Sequence, residues 1–258
     1  MLAKILTMFS LGTLCFLNPG HGAAIPYQSE GFFKNSYGLS VGLISSFLPY
    51  NPVVLHAGAY VGTESVVFAK IWEKGKILAF EPNPTRFEKL VENTQAFANI
   101  KPFNMALNTY RGKAEFFLCY GTGGTNPIFD SASSLLAPTP QIAIHYQGPK
   151  IMVECVNLDE WCSDNQIDRI DFMRLDLQGL ELQVLTSSPR ILKTVKVIHV
   201  LTNLYPFRKG TTIFANLKAF LEKNGFFLIE HHYQEGLQGS AVFLQTRIFN
   251  GIYGTSHI

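Results

Sequence analysis

Two glycines and two acidic strand tips are the residues of this chain whose spacing suits chemistry. Gly58 and Gly62 bound the stretch Gly58-Ala59-Tyr60-Val61-Gly62, directly after the apolar, β-rich run Val53-Val54-Leu55-His56-Ala57. A second apolar run, Ile77-Leu78-Ala79-Phe80, ends on Glu81-Pro82-Asn83-Pro84, so Glu81 stands about 20 residues past the glycines. A later run, Asp171-Phe172-Met173-Arg174-Leu175, ends on Asp176-Leu177-Gln178-Gly179. Glycines after a strand let backbone crowd a ligand, and a carboxylate at the tip of the next strand takes ribose hydroxyls. The chemistry indicated is capture of a nucleoside across the carboxyl ends of parallel strands.

The spacing narrows the nucleoside. A dinucleotide fingerprint needs G-x-G-x-x-G, and a triphosphate loop needs Lys followed by Ser or Thr; neither pattern is present. An NAD-dependent oxidoreductase is therefore disfavoured. S-adenosyl-L-methionine has no phosphate and carries a cationic sulfonium. It needs close backbone and a carboxylate for its ribose diol, which Gly58, Gly62 and Glu81 supply. A plain strand-helix-strand unit, with glycines that only turn the chain and Glu81 facing solvent, is the competing reading.

These residues require a doubly wound frame to hold them. After Gly62, the pairs Val67 with Ile71 and Phe68 with Trp72 predict a helix packed on the sheet. Asn83 reads as an N-cap with Pro84 at the first helical position, and Phe87, Leu90, Val91, Thr94 and Phe97 as the buried stripe that follows. Strands are predicted over Ile100–Leu107, Lys113–Leu118, Met152–Leu158 and Val195–Leu201, with one helix over Gly179–Leu192. A helix through Ile213, Phe214, Leu217, Phe220 and Leu221 stops at Asn224-Gly225. Phe226–His231 and Ala241–Thr246 then form an antiparallel hairpin. The predicted class is α/β, a mostly parallel doubly wound Rossmann-like sheet with a C-terminal antiparallel hairpin. The stretch from Cys119 to Lys150 is a long loop for a compact domain, hence a functional lid or poorly ordered; Ser131-Ala132-Ser133-Ser134-Leu135 is its most site-like piece.

The 258 residues suit one domain, and 47% hydrophobic against 16% charged content marks a globular chain. A net charge of +2 is too small to imply a nucleic-acid partner. Lys4, the apolar run Ile5–Leu17 and small residues to Ala24 read as a signal peptide over 1–24. The apolar run is short of the ~20 residues of a membrane helix. The expected destination is secreted or periplasmic if the leader is cleaved, and membrane-anchored otherwise. Residues 25–50 read as an N-terminal helical segment, with Leu39, Leu43, Ile44, Phe47 and Leu48 as its packing face, and 51–258 as the functional domain. Cys119, Cys155 and Cys162 show no disulfide or zinc spacing and are expected as buried thiols.

With both acidic tips in place, the pattern resembles the FkbM-type methyltransferases, a branch of the Rossmann-like, class I S-adenosylmethionine enzymes. The resemblance rests on Val54 through Gly62, Phe80 through Pro84, Val156-Asn157-Leu158-Asp159-Glu160 and Arg174 through Glu181, in the family's order. It implies S-adenosyl-L-methionine as cofactor, with Gly58, Ala59 and Gly62 approaching it, Tyr60 and Asn83 beside it, and Glu81 holding the ribose. Asp176 would border the methyl-transfer cleft. The implied activity is O-methylation of a hydroxyl on a sugar or small metabolite. The chain departs from the family where His56 replaces an acidic residue, Tyr60 an asparagine, Gln178 a glutamate and Thr202 a glutamate, and where an aspartate before the last strand is replaced near Ser240.

Methyl transfer to a hydroxyl requires alignment of the acceptor oxygen and benefits from a base. Asp176 is the first candidate base, ahead of His145 and His199; the alternative is a structural Asp176 bonding to backbone amides at the next helix start. His56 is expected to do no chemistry, and His231 and His232 point to opposite strand faces. A second function class stays open, a secreted binding module on a degraded methyltransferase fold.

Overall fold

The computed structural model describes residues 41–120, 127–233 and 238–248. The proposed leader, residues 1–24, lies outside them. The chain divides into two compact units, Met1–Ser46 and Phe47–Ile258. Of the first, the described part is α1, Val41–Ser46, in which the Ser45 hydroxyl donates to the Val41 carbonyl at 2.9 Å.

The second unit is built on a seven-stranded sheet of order β3-β2-β1-β7-β8-β10-β9. Its strands are β1 (Val53–Ala57), β2 (Lys76–Phe80), β3 (Ile100–Phe103), β7 (Phe172–Leu175), β8 (Val197–Asn203), β9 (Phe226–Tyr233) and β10 (Gln238–Gln245). β3, β2, β1, β7 and β8 run parallel, while β10 runs antiparallel to both β8 and β9. The strand order reverses between β1 and β7, and ligands of open α/β sheets bind above such a switch point. The two acidic tips therefore end on adjacent sides of one crevice.

Parallel strands covered on both faces read as near-continuous apolar runs, as β1, β2 and β7 do here. One face carries Leu55, Ala57, Leu78, Phe80, Met173, Leu175, Ile198 and Val200 into the main core. Opposite them pack α4 (Leu158–Asp164), α5 (Glu181–Thr186), α6 (Pro189–Leu192) and α7 (Phe214–Lys223), through Trp161, Val184, Leu185, Ile191, Leu217 and Leu221. On the other face α2 (Thr63–Ile71) places Phe68 edge-on to Phe172 at 5.6 Å, and Trp72 follows at 5.7 Å.

A smaller sheet of order β4-β6-β5 holds β4 (Ala106–Leu107), β5 (Gly112–Phe117) and β6 (Lys150–Val156). It corrects the single strand expected over Ile100–Leu107, which divides between the two sheets. The single helix expected over Gly179–Leu192 is likewise two short ones. Ser188 and Pro189 break it, since proline removes a donor and restarts a helix at its own first turn. In α3 (Pro84–Thr94), Leu90 and Thr94 are buried but Val91 is exposed, so the buried stripe is narrower than its apolar content suggested.

The stretch 127–150 is not structureless. It holds 3-10 turns at Pro127–Ala132 and Ala143–His145, and pairs Ser134 with Phe117 and Pro138 with Arg208. Cys119, Cys155 and Cys162 are buried free thiols.

Candidate functional site

The glycine bend is shaped by the chain's own packing. Gly58 and Gly62 adopt φ of +81° and +87°, a region costly for residues with a Cβ. A Cβ on Gly58 would lie 2.2 Å from the Asp176 carbonyl oxygen, and one on Gly62 would lie 2.7 Å from Leu90. The amides of Gly58 and Ala59 both donate to the Phe80 carbonyl, at 3.0 and 2.9 Å, which fastens the bend to the end of β2.

That attachment brings Glu81 against the bend. Its carboxylate accepts the Tyr60 amide at 2.8 Å through one oxygen and the Asn83 amide at 2.8 Å through the other. Each oxygen keeps a further lone pair. Glu81 is buried, and burial pushes its carboxyl up to about 7 against the pull of those two amides. Asn83 supports the arrangement from behind: its side chain accepts from the Thr85 amide at 3.1 Å and caps α3, with Pro84 at the first helical position.

A cavity of about 100 Å³ opens between the two acidic tips. Its floor is Ala57, Gly58, Tyr60, Phe80 and Glu81, its far end Asp176, Leu177 and Leu180. Met105, Ala106, Leu107 and Phe116 supply an apolar wall. Ser131, Ser133 and Leu135, from the stretch singled out by sequence, close it, together with Asp130. Of the predicted residues, Gly58, Tyr60, Glu81 and Asp176 line this cavity. Ala59, Gly62 and Asn83 stand behind it, shaping the bend and the starts of α2 and α3.

Asp130 and its partners were not anticipated. The Tyr60 hydroxyl donates to Asp130 at 2.8 Å, and Arg86 pairs with the same carboxylate. Arg86 also lies over the Tyr60 ring, 5.2 Å from its centroid. Burial, followed by the bond to Asp130, pushes the Tyr60 phenol up to about 12, so it stays protonated and donating. Tyr60 thus joins Glu81 through its amide and Asp130 through its hydroxyl. The signal available in sequence was Asp130 standing immediately before the serine cluster.

Asp176 does not bond to the next helix start. Glu181 does: its carboxylate accepts the Leu177 amide at 3.0 Å and the Gly179 amide at 3.1 Å. The structural role weighed for Asp176 belongs to Glu181, and Asp176 is left facing the cavity. One Asp176 oxygen accepts from the Gln178 side chain at 2.7 Å, and the other lies 3.4 Å from Arg174. Arg174 in turn donates to Glu64 at 3.1 Å. Burial raises the Glu64 carboxyl, but Arg174 and His56 outweigh it and hold it well below the usual range.

Gln178 can play two parts at once. Its amide nitrogen donates to Asp176 while its amide oxygen accepts from Arg208 at 2.9 Å. A glutamate there could not donate. Arg208 also donates to the Ala132 carbonyl at 2.7 Å and to the Tyr146 hydroxyl at 2.8 Å, tying the 127–150 stretch to the Asp176 turn.

The histidines sit elsewhere. His56 is buried on β1, 2.7 Å from the Ser65 hydroxyl and 3.4 Å from Glu64. His145 is exposed on its 3-10 turn, and neither it nor His199 lines the cavity. His231 reaches Thr202 at 3.2 Å on one face of β9, while His232 on the other pairs with Glu230.

The chain matches the methyltransferase FkbM domain over residues 56–228. It is 24% identical over 226 residues to the 2-O-methyltransferase NoeI of Sinorhizobium fredii, spanning 85% of this chain and 91% of that protein. It is 23% identical over 150 residues to the hexuronic acid methyltransferase AglP of Haloferax volcanii, spanning 57% of this chain and 54% of that one. Among solved structures, the methyltransferase FkbM of Methylobacillus flagellatus is similar, with 10% identity, 76% and 44% coverage and a TM-score of 0.48. The match begins at the end of β1 and takes in the glycine bend, both acidic tips, β8 and the first residues of β9: this chain is a methyltransferase and belongs to the FkbM family.

Proposed function

We propose that this chain transfers the methyl group of S-adenosyl-L-methionine to a hydroxyl on a sugar or other small metabolite. The observation that carries this reading is the Glu81 carboxylate. It faces a cavity beside a phosphate-free bend, with one lone pair on each oxygen left for a ribose diol. Bound there, S-adenosyl-L-methionine supplies an electrophilic methyl on a cationic sulfonium.

The protein's part is placement. Gly58 and Tyr60 line the floor, Ala59, Gly62 and Asn83 set its shape, and the apolar wall from Met105 to Phe116 takes a flat base. Asp176, at the far end, stands where an acceptor hydroxyl has to meet the methyl. With S-adenosyl-L-methionine held by Gly58, Tyr60 and Glu81, Asp176 would take the proton of an acceptor hydroxyl placed beside it. The Gln178 and Arg174 donors fix the Asp176 carboxylate in one orientation, and alignment of this kind supplies much of the rate of an in-line displacement. The names of the relatives, a 2-O-methyltransferase and a hexuronic acid methyltransferase, favour an oxygen acceptor on a small molecule or glycan.

Calorimetry with S-adenosylhomocysteine tests the cofactor site. Micromolar binding that disappears in Glu81→Ala is expected; absence of heat at millimolar ligand would sink the reading. For the base, Asp176→Ala is expected to abolish methyl transfer to an identified acceptor while leaving homocysteine-nucleoside binding in place.

A further inference from the structure

Arg208 is a buried cation whose hydrogen-bond acceptors are all neutral. It is 3% exposed, and its guanidinium donates to the Ala132 carbonyl, the Tyr146 hydroxyl and the Gln178 side-chain oxygen. Its Nη1 has no hydrogen-bond partner among the described residues. Burial pushes the Tyr146 phenol up to about 12, so Tyr146 brings no negative charge. A buried charge needs a partner of opposite sign or the desolvation cost stands unbalanced.

A carboxylate is reached at one remove, across Gln178. The Gln178 amide nitrogen donates to one Asp176 oxygen at 2.7 Å while its amide oxygen accepts from Arg208 at 2.9 Å. The negative end of the amide dipole thus meets the cation and the positive end meets the anion. Hydrogen bonds in such a chain polarise one another, so the three groups form an ion pair with an amide inserted in it. Gln178 holds this position at φ of +53°, a conformation unfavourable for a residue with a Cβ.

The two ends of the bridge do different work. Arg208 fastens the 127–150 stretch, through Ala132 and Tyr146, over a cavity that Ser131, Ser133 and Leu135 close. Asp176 lines the same cavity from the far end. Facing Asp176 are Arg174 at 3.4 Å, and Glu81 and Glu181, whose carboxyls its charge repels; Asp130 lines the cavity as well. Ionised Asp176 is therefore held by Arg174 directly and by Arg208 through Gln178.

We propose that Gln178 couples the charge of Asp176 to the closure of the 127–150 stretch. While Asp176 is ionised, the bridge holds Arg208, and with it the stretch, against the cavity. The proton that leaves the acceptor oxygen is the one that neutralises Asp176. A hydrogen bond to a charged acceptor is roughly twice as strong as one between neutral groups, so the bridge then slackens and the stretch is loosened for product release. The coupling rests on the reading of Asp176 as the base, and makes Gln178 a positioning residue that acts on both the base and the stretch.

The test is hydrogen exchange over residues 131–146 in the full chain, with α7 as the reference that should not change. Asp176→Asn mimics the neutral acid and should speed exchange over the stretch about fivefold. Gln178→Leu removes the bridge with Asp176 intact and should speed it at least as much. Asp176→Asn added to Gln178→Leu should then change nothing further, since groups acting through one link are not additive. Gln178→Glu added to Asp176→Asn gives Arg208 a carboxylate of its own, and should return exchange to the wild-type rate. The coupling is overturned if Asp176→Asn exchanges as the wild type does, if the effects of Asp176→Asn and Gln178→Leu add in full, or if the charge-restoring double variant stays fast. None of these measurements needs an acceptor or turnover. Absence of methyl transfer would strike the base assignment alone, and unchanged exchange would strike the coupling alone.

Discussion

Gly58 makes room for Asp176. The position a Gly58 Cβ would take is 2.2 Å from the Asp176 carbonyl oxygen, and the Asp176 amide donates to Ala57 at 2.9 Å. The bend that faces the nucleoside and the turn that presents the second carboxylate are thus in direct backbone contact. A displacement of either moves the other.

Gly58→Ala is accordingly expected to destabilise the protein by about 2–4 kcal/mol, combining a left-handed conformation with overpacking. Urea denaturation reads it. A variant as stable as the wild type would mean that the two tips are not in contact.

Stability should fall as pH rises through neutrality. Burial pushes the carboxyls of Glu81 and Glu181 up to about 7, from the ordinary 4.5. Such groups contribute stability that is fully present below the unfolded value and lost as pH rises through the folded value. The window is therefore about pH 4.5 to 7, and each group contributes on the order of 3 kcal/mol across it. Unfolding curves at pH 5, 6 and 8 should show this decline, shallower in Glu81→Gln. Equal slopes in the two proteins would contradict the buried position of Glu81.

Cofactor binding should carry the opposite dependence. A ribose diol donates to the ionised carboxylate, so S-adenosylhomocysteine affinity should climb toward pH 7 and level off above it. Below about 7 the expected slope approaches tenfold per pH unit. Calorimetry in buffers of different ionisation enthalpy should detect a proton released on binding near pH 6.5. A flat profile would count against ribose capture by Glu81.

Arg208 is expected to hold the 127–150 stretch closed. Its guanidinium is buried and donates to Ala132, Tyr146 and Gln178. Arg208→Met takes that donor from the Gln178 side-chain oxygen and the Tyr146 hydroxyl, while Ala132 keeps the Tyr146 hydroxyl, and should cost about 2–4 kcal/mol. Amide exchange over residues 131–146 should rise, and S-adenosylhomocysteine should bind more weakly because Ser131, Ser133 and Leu135 line its cavity. Unchanged exchange over that stretch would remove the clamp.

What the sequence determined by itself was local. Strand, bend, helix and acidic tip around Gly58 and Glu81 could be read directly, because periodicity and turn residues encode backbone geometry within a few positions. The Asn83 cap with Pro84 was legible for the same reason, and the serine cluster at 131–135 could be marked, though not placed. Only the tertiary structure decided which groups meet. It set Asp130 against Tyr60 across 70 residues of chain, and gave the helix-start amides to Glu181, leaving Asp176 free to face the cavity. It also joined Gln178 to both Asp176 and Arg208. Those meetings depend on strand register and on the path of a long insertion. Both are fixed by packing between distant segments, which no short window of residues contains.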